Sequence, residues 1–473
     1  MGALPSPWVE EVIPIGLSNP KWLVWHESRA IDFGWSNLPN QEWLRLLSGQ
    51  KVETGWSTAY AGHQFGVWAG RLGDGRAVFL GEQMDTHGQW HEVQLKGAGI
   101  TPFSRQGDGR AVLRSSIREY LASIAMEGLG IPTTSVLALV GSDELVLREE
   151  VETAAMVTRI APSFIRFGHF EYLASERQIS ALDGLVQRVL EQHWPERVGT
   201  AKPAVALLSE AIPRTAALIA QWQAVGFSHG VMNTDNFSIL GLTLDYGPFN
   251  FMDRFRLDHN GNHSDIDGRY TYDQQPAAAE WSCVALTQAL WPLIADEKMA
   301  NYLIEQFIVT YKATHLRLFR GKLGLIQAHE DDGDLIFRLL VWLHQEQIDF
   351  SGFFRWLSEW SGETFSVKSE KDIVFSEEGL GHGWLQRYRQ RLNWEGSDAK
   401  ERHVRMRSVN PVLVLRNHWV QYVIDEAKKN NFLPLHEAST LLQNPYIWPQ
   451  DFDPRWLAPP SADSPVIQVS CSS

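Results

Sequence analysis

The apolar pattern of this 473-residue chain changes character once, near residue 175, and that change limits the folds open to it. Between residues 60 and 150 the chain is rich in glycine and in short alternating apolar runs. Ala77-Val78-Phe79-Leu80 and Val93-Gln94-Leu95-Lys96 read as strands, and Ser135–Leu139 with Glu144–Arg148 as a further strand pair. One helix is predicted among them, from Arg110 to Glu127. Val112, Leu113, Ile117, Tyr120, Leu121 and Ile124 recur in it at helical spacing, and Gly128 and Gly130 end it. Beyond the change, helical spacing runs through Val205–Val225, Ala277–Ile294, Met299–Leu318, Leu335–Gln347 and Val412–Ala427. This order predicts an α+β chain: a small β-rich lobe with one key helix, then a larger α-helical lobe. Residues 1–60 mix Trp, Pro and short polar runs and are expected to be irregular, with short helices.

The length admits two or three domains, or one large two-lobed domain. At 44% hydrophobic and 21% charged residues the composition is globular, which excludes disorder and coiled coil. The net charge of −14 lacks the basic footprint of a nucleic-acid binder, so no nucleic-acid partner is expected. No stretch approaches the ~18 uninterrupted apolar residues of a membrane span, and no membrane partner is expected. The two cysteines, Cys283 and Cys471, cannot build a disulfide framework or a cysteine-rich zinc site. The N-terminus carries Glu10 and Glu11, no Arg and no apolar core of signal length, so a cytoplasmic location is expected.

Four polar constellations stand out. Gly70-Arg71-Leu72-Gly73-Asp74-Gly75-Arg76 follows Gly62-His63-Gln64-Phe65-Gly66; glycines let backbone N–H groups face a phosphate, and Arg71 and Arg76 add charge. Lys96 closes an apolar strand and Glu119 lies in the following helix, the layout by which kinase-like folds orient a phosphate-binding amine. Between them, Asp108-Gly109-Arg110 either turns the chain and caps the helix or offers its N-terminus to a phosphate, with Arg105, Arg110 and Arg114 nearby. Arg159 and Arg166 sit among apolar residues and need an anionic partner, either a phosphate or a carboxylate such as Glu149 or Glu171.

The fourth constellation is the most specific. An apolar helix leads into His229-Gly230-Val231-Met232-Asn233-Thr234-Asp235-Asn236, and Leu242–Leu244 is predicted to be a short strand running into Asp245-Tyr246-Gly247. This is the layout of a kinase catalytic loop followed by a metal-binding Asp-Phe-Gly-like motif. Asn236 and Asp245 supply the oxygen ligands that Mg²⁺ requires. Val231 occupies the position of the usual catalytic Asp, and a carboxylate, Asp235, stands instead beside Asn236.

The runs HEVQLKGAGITPFSRQGDGRAVLRSSIREYLAS, TRIAPSFIRFGHFE and GFSHGVMNTDNFSILGLTLDYGPFNFMD, with the terminal Cys471-Ser472-Ser473, resemble the selenoprotein O family from about Trp56 onward. Where family members carry selenocysteine, this chain has Cys471. The resemblance implies a protein-kinase-like bilobal pseudokinase fold. Its expected divisions are an N-terminal extension packed on the lobes (1–55), an N-lobe (56–155), a C-lobe with the catalytic and metal loops (156–460), and a tail carrying Cys471 (461–473). It implies ATP bound in an orientation flipped relative to kinases. AMP would pass to Ser, Thr or Tyr hydroxyls of protein substrates. Nucleotide contacts fall on Gly73, Gly75, Arg76, Lys96, Asp108, Gly109, Arg159, Arg166 and Asp245. Mg²⁺ or Mn²⁺ falls on Asn236 and Asp245, the proton acceptor on Asp235, and support of Lys96 on Glu119. A UMP donor with Mn²⁺ is also implied for bacterial-type members. Two alternatives remain at this point: an inactive nucleotide-binding pseudokinase scaffold and a true protein kinase.

Overall fold

The computed structural model describes residues 7–35, 40–360, 380–450, 452–461, 467 and 469. It is a mixed fold in which an antiparallel sheet is followed by many helices. The sheet holds nine strands: β1 (Val9–Val12), β2 (Lys21–Trp25), β3 (Gly55–Gln64), β4 (Val67–Gly73), β5 (Ala77–Met84), β6 (Trp90–Lys96), β7 (Ala111–Val112), β8 (Ser135–Leu147) and β9 (Val151–Ala161). They are ordered β1-β3-β5-β6-β9-β8-β2, with β4 on β3 and β7 on β9. Short helices α1 (Glu27–Asp32) and α2 (Gln41–Leu47) precede β3, and α3 (Leu113–Gly128) lies between β7 and β8. The helical part begins with α4 (Phe167–Ser175), α5 (Ile179–His193), α6 (Pro203–Ala224) and α7 (Gln275–Ala289).

Two elements position the site. Val93 to Lys96 of β6 are all buried, because β5 and β9 flank the strand and α3 covers one face of the sheet. A strand buried on both faces loses the polar alternation that marks a surface strand. The second element, α3, is buried continuously from Ser116 to Met126, so its charged residues Arg118 and Glu119 must find partners inside the protein. The α3 C-terminus abuts the helix Leu433–Leu442: a Cβ on Gly128 would lie 2.0 Å from the Leu442 carbonyl oxygen.

The structure differs from the sequence expectations in several elements. β1 and β2 are sheet strands, not irregular chain; burial of Val9, Val12, Leu23 and Val24 against the sheet outweighs their weak local pattern. Ser135–Leu139 and Glu144–Arg148 are not a strand pair. Both fall within or at the end of β8, which absorbs the polar Gly141–Leu145 stretch as an irregularity in its pairing with β9. Helix α3 starts at Leu113, because Ala111 and Val112 pair with β9 instead. Thr243 forms isolated bridges to Thr133 and Phe237 where a strand was expected.

Among the described residues one helix, α6, is long and apolar enough to cross a membrane, yet 61% of its apolar window is buried inside the fold. Its apolar side chains belong to the main core, together with those of α5, α7 and the helix Glu297–Lys322. Cys283 lies buried in α7, where burial pushes its thiol up, away from the reactive thiolate form. Cys471 lies outside the described residues.

Candidate active site

A cleft of about 570 Å³ opens where the sheet meets the start of the helical part. All the residues to which the family resemblance assigns a role line it: Gly73, Gly75, Arg76, Lys96, Asp108, Gly109, Glu119, Arg159, Arg166, Asp235, Asn236 and Asp245. They come from β4 and the turn after it, β6 and the loop between β6 and β7, α3, β9, the start of α4 and two loops beyond α6. No single stretch of chain could supply them.

At its centre is a charge cluster around Asp245. Lys96 Nζ donates to Glu119 Oε2 at 2.5 Å and to Asp245 Oδ1 at 3.3 Å. Arg159 Nη1 donates to Asp245 Oδ1 at 2.6 Å and to Glu119 Oε1 at 3.2 Å. Arg166 Nη1 bonds the other Asp245 oxygen. Burial alone would raise the Asp245 carboxyl, but the charges of Arg166, Lys96 and Arg159 outweigh it and hold the group well below the usual carboxylate range. Asp245 also has φ +54°, a left-handed conformation uncommon outside glycine, which places its carboxylate among the three cations. The carboxylates proposed from sequence for the arginines, Glu149 and Glu171, are not the partners. Glu171 Oε1 bonds His63 Nδ1 at 2.7 Å, and Arg159 and Arg166 point into the cleft instead.

The second carboxylate has the opposite setting. Asp235 is buried; among the described residues its Oδ2 accepts only a long 3.5 Å bond from Gln64 Nε2, and its Oδ1 has no hydrogen-bond partner. Burial pushes its carboxyl up to about 6, with Arg166 opposing the shift. Arg166 reaches the loop through the main chain, donating to the Asp235 carbonyl at 2.8 Å. Asn236 Nδ2 donates to the Val231 carbonyl at 3.1 Å, which leaves the amide oxygen as the group free for a cation. His229 pins the start of the loop: it stacks on Trp222, bonds the Leu244 carbonyl at 2.9 Å, and is driven toward its neutral form by burial.

The glycines meet a packing need of the protein itself. A Cβ on Gly73 would lie 2.5 Å from the Phe103 ring. Gly109 has φ +70°, and a Cβ there would lie 2.0 Å from the Gly99 carbonyl oxygen. Asp108 forms a two-point ion pair with Arg148, at 2.7 and 2.8 Å, and accepts from the Arg110 N–H at 2.9 Å; it does not cap α3. Arg110 and Arg114, expected beside a phosphate, are held by Glu144 at 2.7 Å and Glu152 at 2.9 Å. Arg71 packs over the Phe103 ring outside the cleft lining. Arg76 has no carboxylate partner among the described residues and faces the cleft as a free cation.

Sequence reasoning missed four contributors. Gln94 on β6 orients Arg159, accepting from its Nε at 3.0 Å. The Tyr60 ring lies 5.1 Å from the Arg166 guanidinium. Gln64 is, among the described residues, the one side chain that hydrogen-bonds the Asp235 carboxylate, and Arg148 holds Asp108. Gln64 stood within a quoted glycine-rich run, but its meeting with Asp235 spans 171 positions and left no local signal.

The donor set fits a divalent ion carried with phosphate. Among the described residues no group of three or more His, Cys, Asp or Glu forms a metal cage. Asn236 and Asp245 alone would leave most of an octahedral shell to phosphate oxygens and water, as Mg²⁺-type sites do. Cations on one side of the cleft face a poorly solvated carboxylate on the other, and similarity to known proteins gives the arrangement its class, a nucleotidyltransferase. Residues 4–443 match the family model described as Protein adenylyltransferase SelO, and the chain belongs to that family. It is 47% identical over 438 residues to the protein nucleotidyltransferase YdiU of Ralstonia nicotianae, covering 88% of this chain and 83% of the relative. It is 41% identical to that of Vibrio vulnificus (99% and 97% covered) and 45% identical to that of Bordetella petrii (100% and 97% covered). A transferase of this family is expected to use ATP and a divalent metal ion.

Proposed function

We propose that the protein is a kinase-like protein adenylyltransferase that moves AMP from ATP to Ser, Thr or Tyr hydroxyls of proteins in the cytoplasm. The observation that carries this reading is the pairing of Asp245, saturated by Lys96, Arg159 and Arg166, with an under-partnered Asp235 in the same cleft. The four proposed divisions at residues 55, 155 and 460 accompany the kinase-like reading.

In the proposed reaction the three cations, with Arg76, take the β,γ-phosphates in place of part of the Asp245 carboxylate. Gly73, Gly75, Asp108 and Gly109 form the wall around the nucleotide. The planar forks of Arg159 and Arg166 suit a leaving pyrophosphate better than two lysines would. Mg²⁺ or Mn²⁺, held by Asn236 and Asp245, would neutralise charge that develops on the phosphates. Asp235 accepts the proton of the acceptor hydroxyl; the hydroxyl oxygen bonds to the α-phosphorus, and the bond from that phosphorus to the β-bridging oxygen breaks. AMP stays on the acceptor and pyrophosphate leaves. UMP from UTP is a second donor under the same chemistry, since no step touches the base.

A true kinase would place its base at Val231, whose side chain is an alkyl group. A scaffold without activity would have no use for a buried carboxylate lacking a partner. ATP labelled at the α- or γ-phosphate separates these readings. α-Label retained in protein supports adenylylation; γ-label in protein overturns it in favour of a kinase, and neither label leaves a scaffold.

A further inference from the structure

A second cavity, of about 760 Å³, lies beside the cleft and plays no part in the reaction described above. Phe65 is the one residue lining both. It sits with Gly66 in the two-residue turn joining β3 to β4, and both have positive φ, +50° and +82°. The Phe65 N–H donates to Asn233 Oδ1 at 3.1 Å and to the Tyr270 hydroxyl at 3.0 Å, while that hydroxyl donates to Asn233 at 2.9 Å. The hairpin tip is thus stitched to the loop that carries Asp235, two residues beyond Asn233. Gln64, beside Phe65, touches the Asp235 carboxylate itself.

The far wall of this cavity combines apolar side chains and Arg269 with two carboxylates: Asp265, whose oxygens are taken by the Arg269 and Tyr270 N–H groups, and the exposed Asp267. Trp281 lies under the Arg269 guanidinium at 4.8 Å, and Ile266 projects at the mouth with 92% exposure. Val67 and Trp68, next on the hairpin, are also exposed, at 70% and 43%. Trp281, Arg269 and the exposed Ile266 on the cavity, with Val67 and Trp68 on the adjoining hairpin, give an apolar and aromatic surface with charge at its edge, the composition of a recognition surface. Asp235 lines the cleft, and with a nucleotide bound there as proposed, the side of Phe65 that faces this cavity is the adjoining approach for an acceptor hydroxyl.

We infer that the cavity bounded by Phe65, Ile266, Arg269 and Trp281 receives an extended polypeptide segment of the acceptor protein. The hydroxyl residue crosses the Phe65 sill to Asp235, and a large apolar side chain a few residues away enters beside Ile266 and Trp281. A few extended residues, at ~3.3–3.6 Å each, give such a segment the necessary reach. The inference rests on the nucleotidyl-transfer reading of the cleft and adds what selects the acceptor.

The test is a positional peptide library, each peptide holding one Ser, Thr or Tyr, incubated with α-labelled ATP and the full-length protein. Self-labelling and ATP affinity by calorimetry are read in parallel. Wild type should prefer a large apolar residue at one flanking position by about tenfold or more. Ile266→Glu should move that preference toward Lys or Arg, and Ile266→Ser should flatten it, both with unchanged ATP affinity. At 92% exposure neither substitution threatens the fold. If Ile266→Glu labels no peptide, the Ile266→Ser profile decides: flattened supports the groove, unchanged overturns it. A wild-type profile without positional preference, or self-labelling without labelling of any peptide, also overturns it. Absence of α-label everywhere, self-labelling included, removes the proposed function, and the groove falls with it.

Discussion

The surroundings of Asp245 and Asp235 differ in kind, although both carboxylates face one cleft. Around Asp245, Lys96, Arg159 and Arg166 converge from β6, β9 and the start of α4 and hold it ionised. Around Asp235, among the described residues, the one side-chain hydrogen bond to the carboxylate is a long one from Gln64, the other oxygen has no partner, and burial raises the group to about 6. Environments that push two acids apart assign them different work. The first is built to hold charge in place; the second is left with basicity to use. The first region is stabilised by its network, and the second is a local cost to the fold.

The largest effect expected from breaking this contrast is at Asp245. Asp245→Ala leaves three buried cations short of their shared anion, a defect of about 3–5 kcal/mol. Urea denaturation should show that loss, and metal-dependent ATP binding should vanish. An unchanged midpoint would mean that solvent, not Asp245, balances the cluster. Arg159→Lys or Arg166→Lys keeps the charge and loses the planar fork, so label transfer should drop by about tenfold or more. Full activity in both would show that charge alone suffices. Lys96→Met should be more severe than Glu119→Ala, because Glu119 acts through other groups, positioning the Lys96 amine at 2.5 Å and Arg159 at 3.2 Å. Equal activity of Glu119→Ala and wild type would detach α3 from the site.

The smallest effect is one of sign. The folded pKa of Asp235 is raised, so its contribution to stability is complete below the unfolded value, near 4, and is lost as pH rises through about 6. Asp235→Asn carries no such charge. In EDTA without nucleotide it should therefore be more stable than wild type at pH 8, by up to about 2 kcal/mol, and no more stable at pH 4. A stability difference independent of pH would place the strain elsewhere in the loop.

The parts of the site legible in the sequence were those with local signatures. Lys96 closed an apolar strand, Glu119 fell inside a periodic helix, and Asn236 and Asp245 followed a loop of recognisable spacing. The parts that were not legible are contacts between distant segments. Gln94 and Arg159 meet only because β6 pairs with β9, and Arg148 reaches Asp108 from the end of β8. β1 and β2 were missed for the same reason: each is a short run whose strand character comes from its partner, β3 or β8. Arg110 and Arg114 show the converse error. Their placement beside a helix start suggested phosphate, yet Glu144 on β8 and Glu152 on β9 claim them.

The division of work between the two carboxylates is tested most directly by Asp235→Ala, with ATP binding and α-label transfer measured on one preparation. ATP affinity in the presence of Mg²⁺ should stay within about threefold of wild type, while transfer falls ~10²–10⁴-fold. Near-normal transfer, or loss of binding in parallel with transfer, would contradict the account.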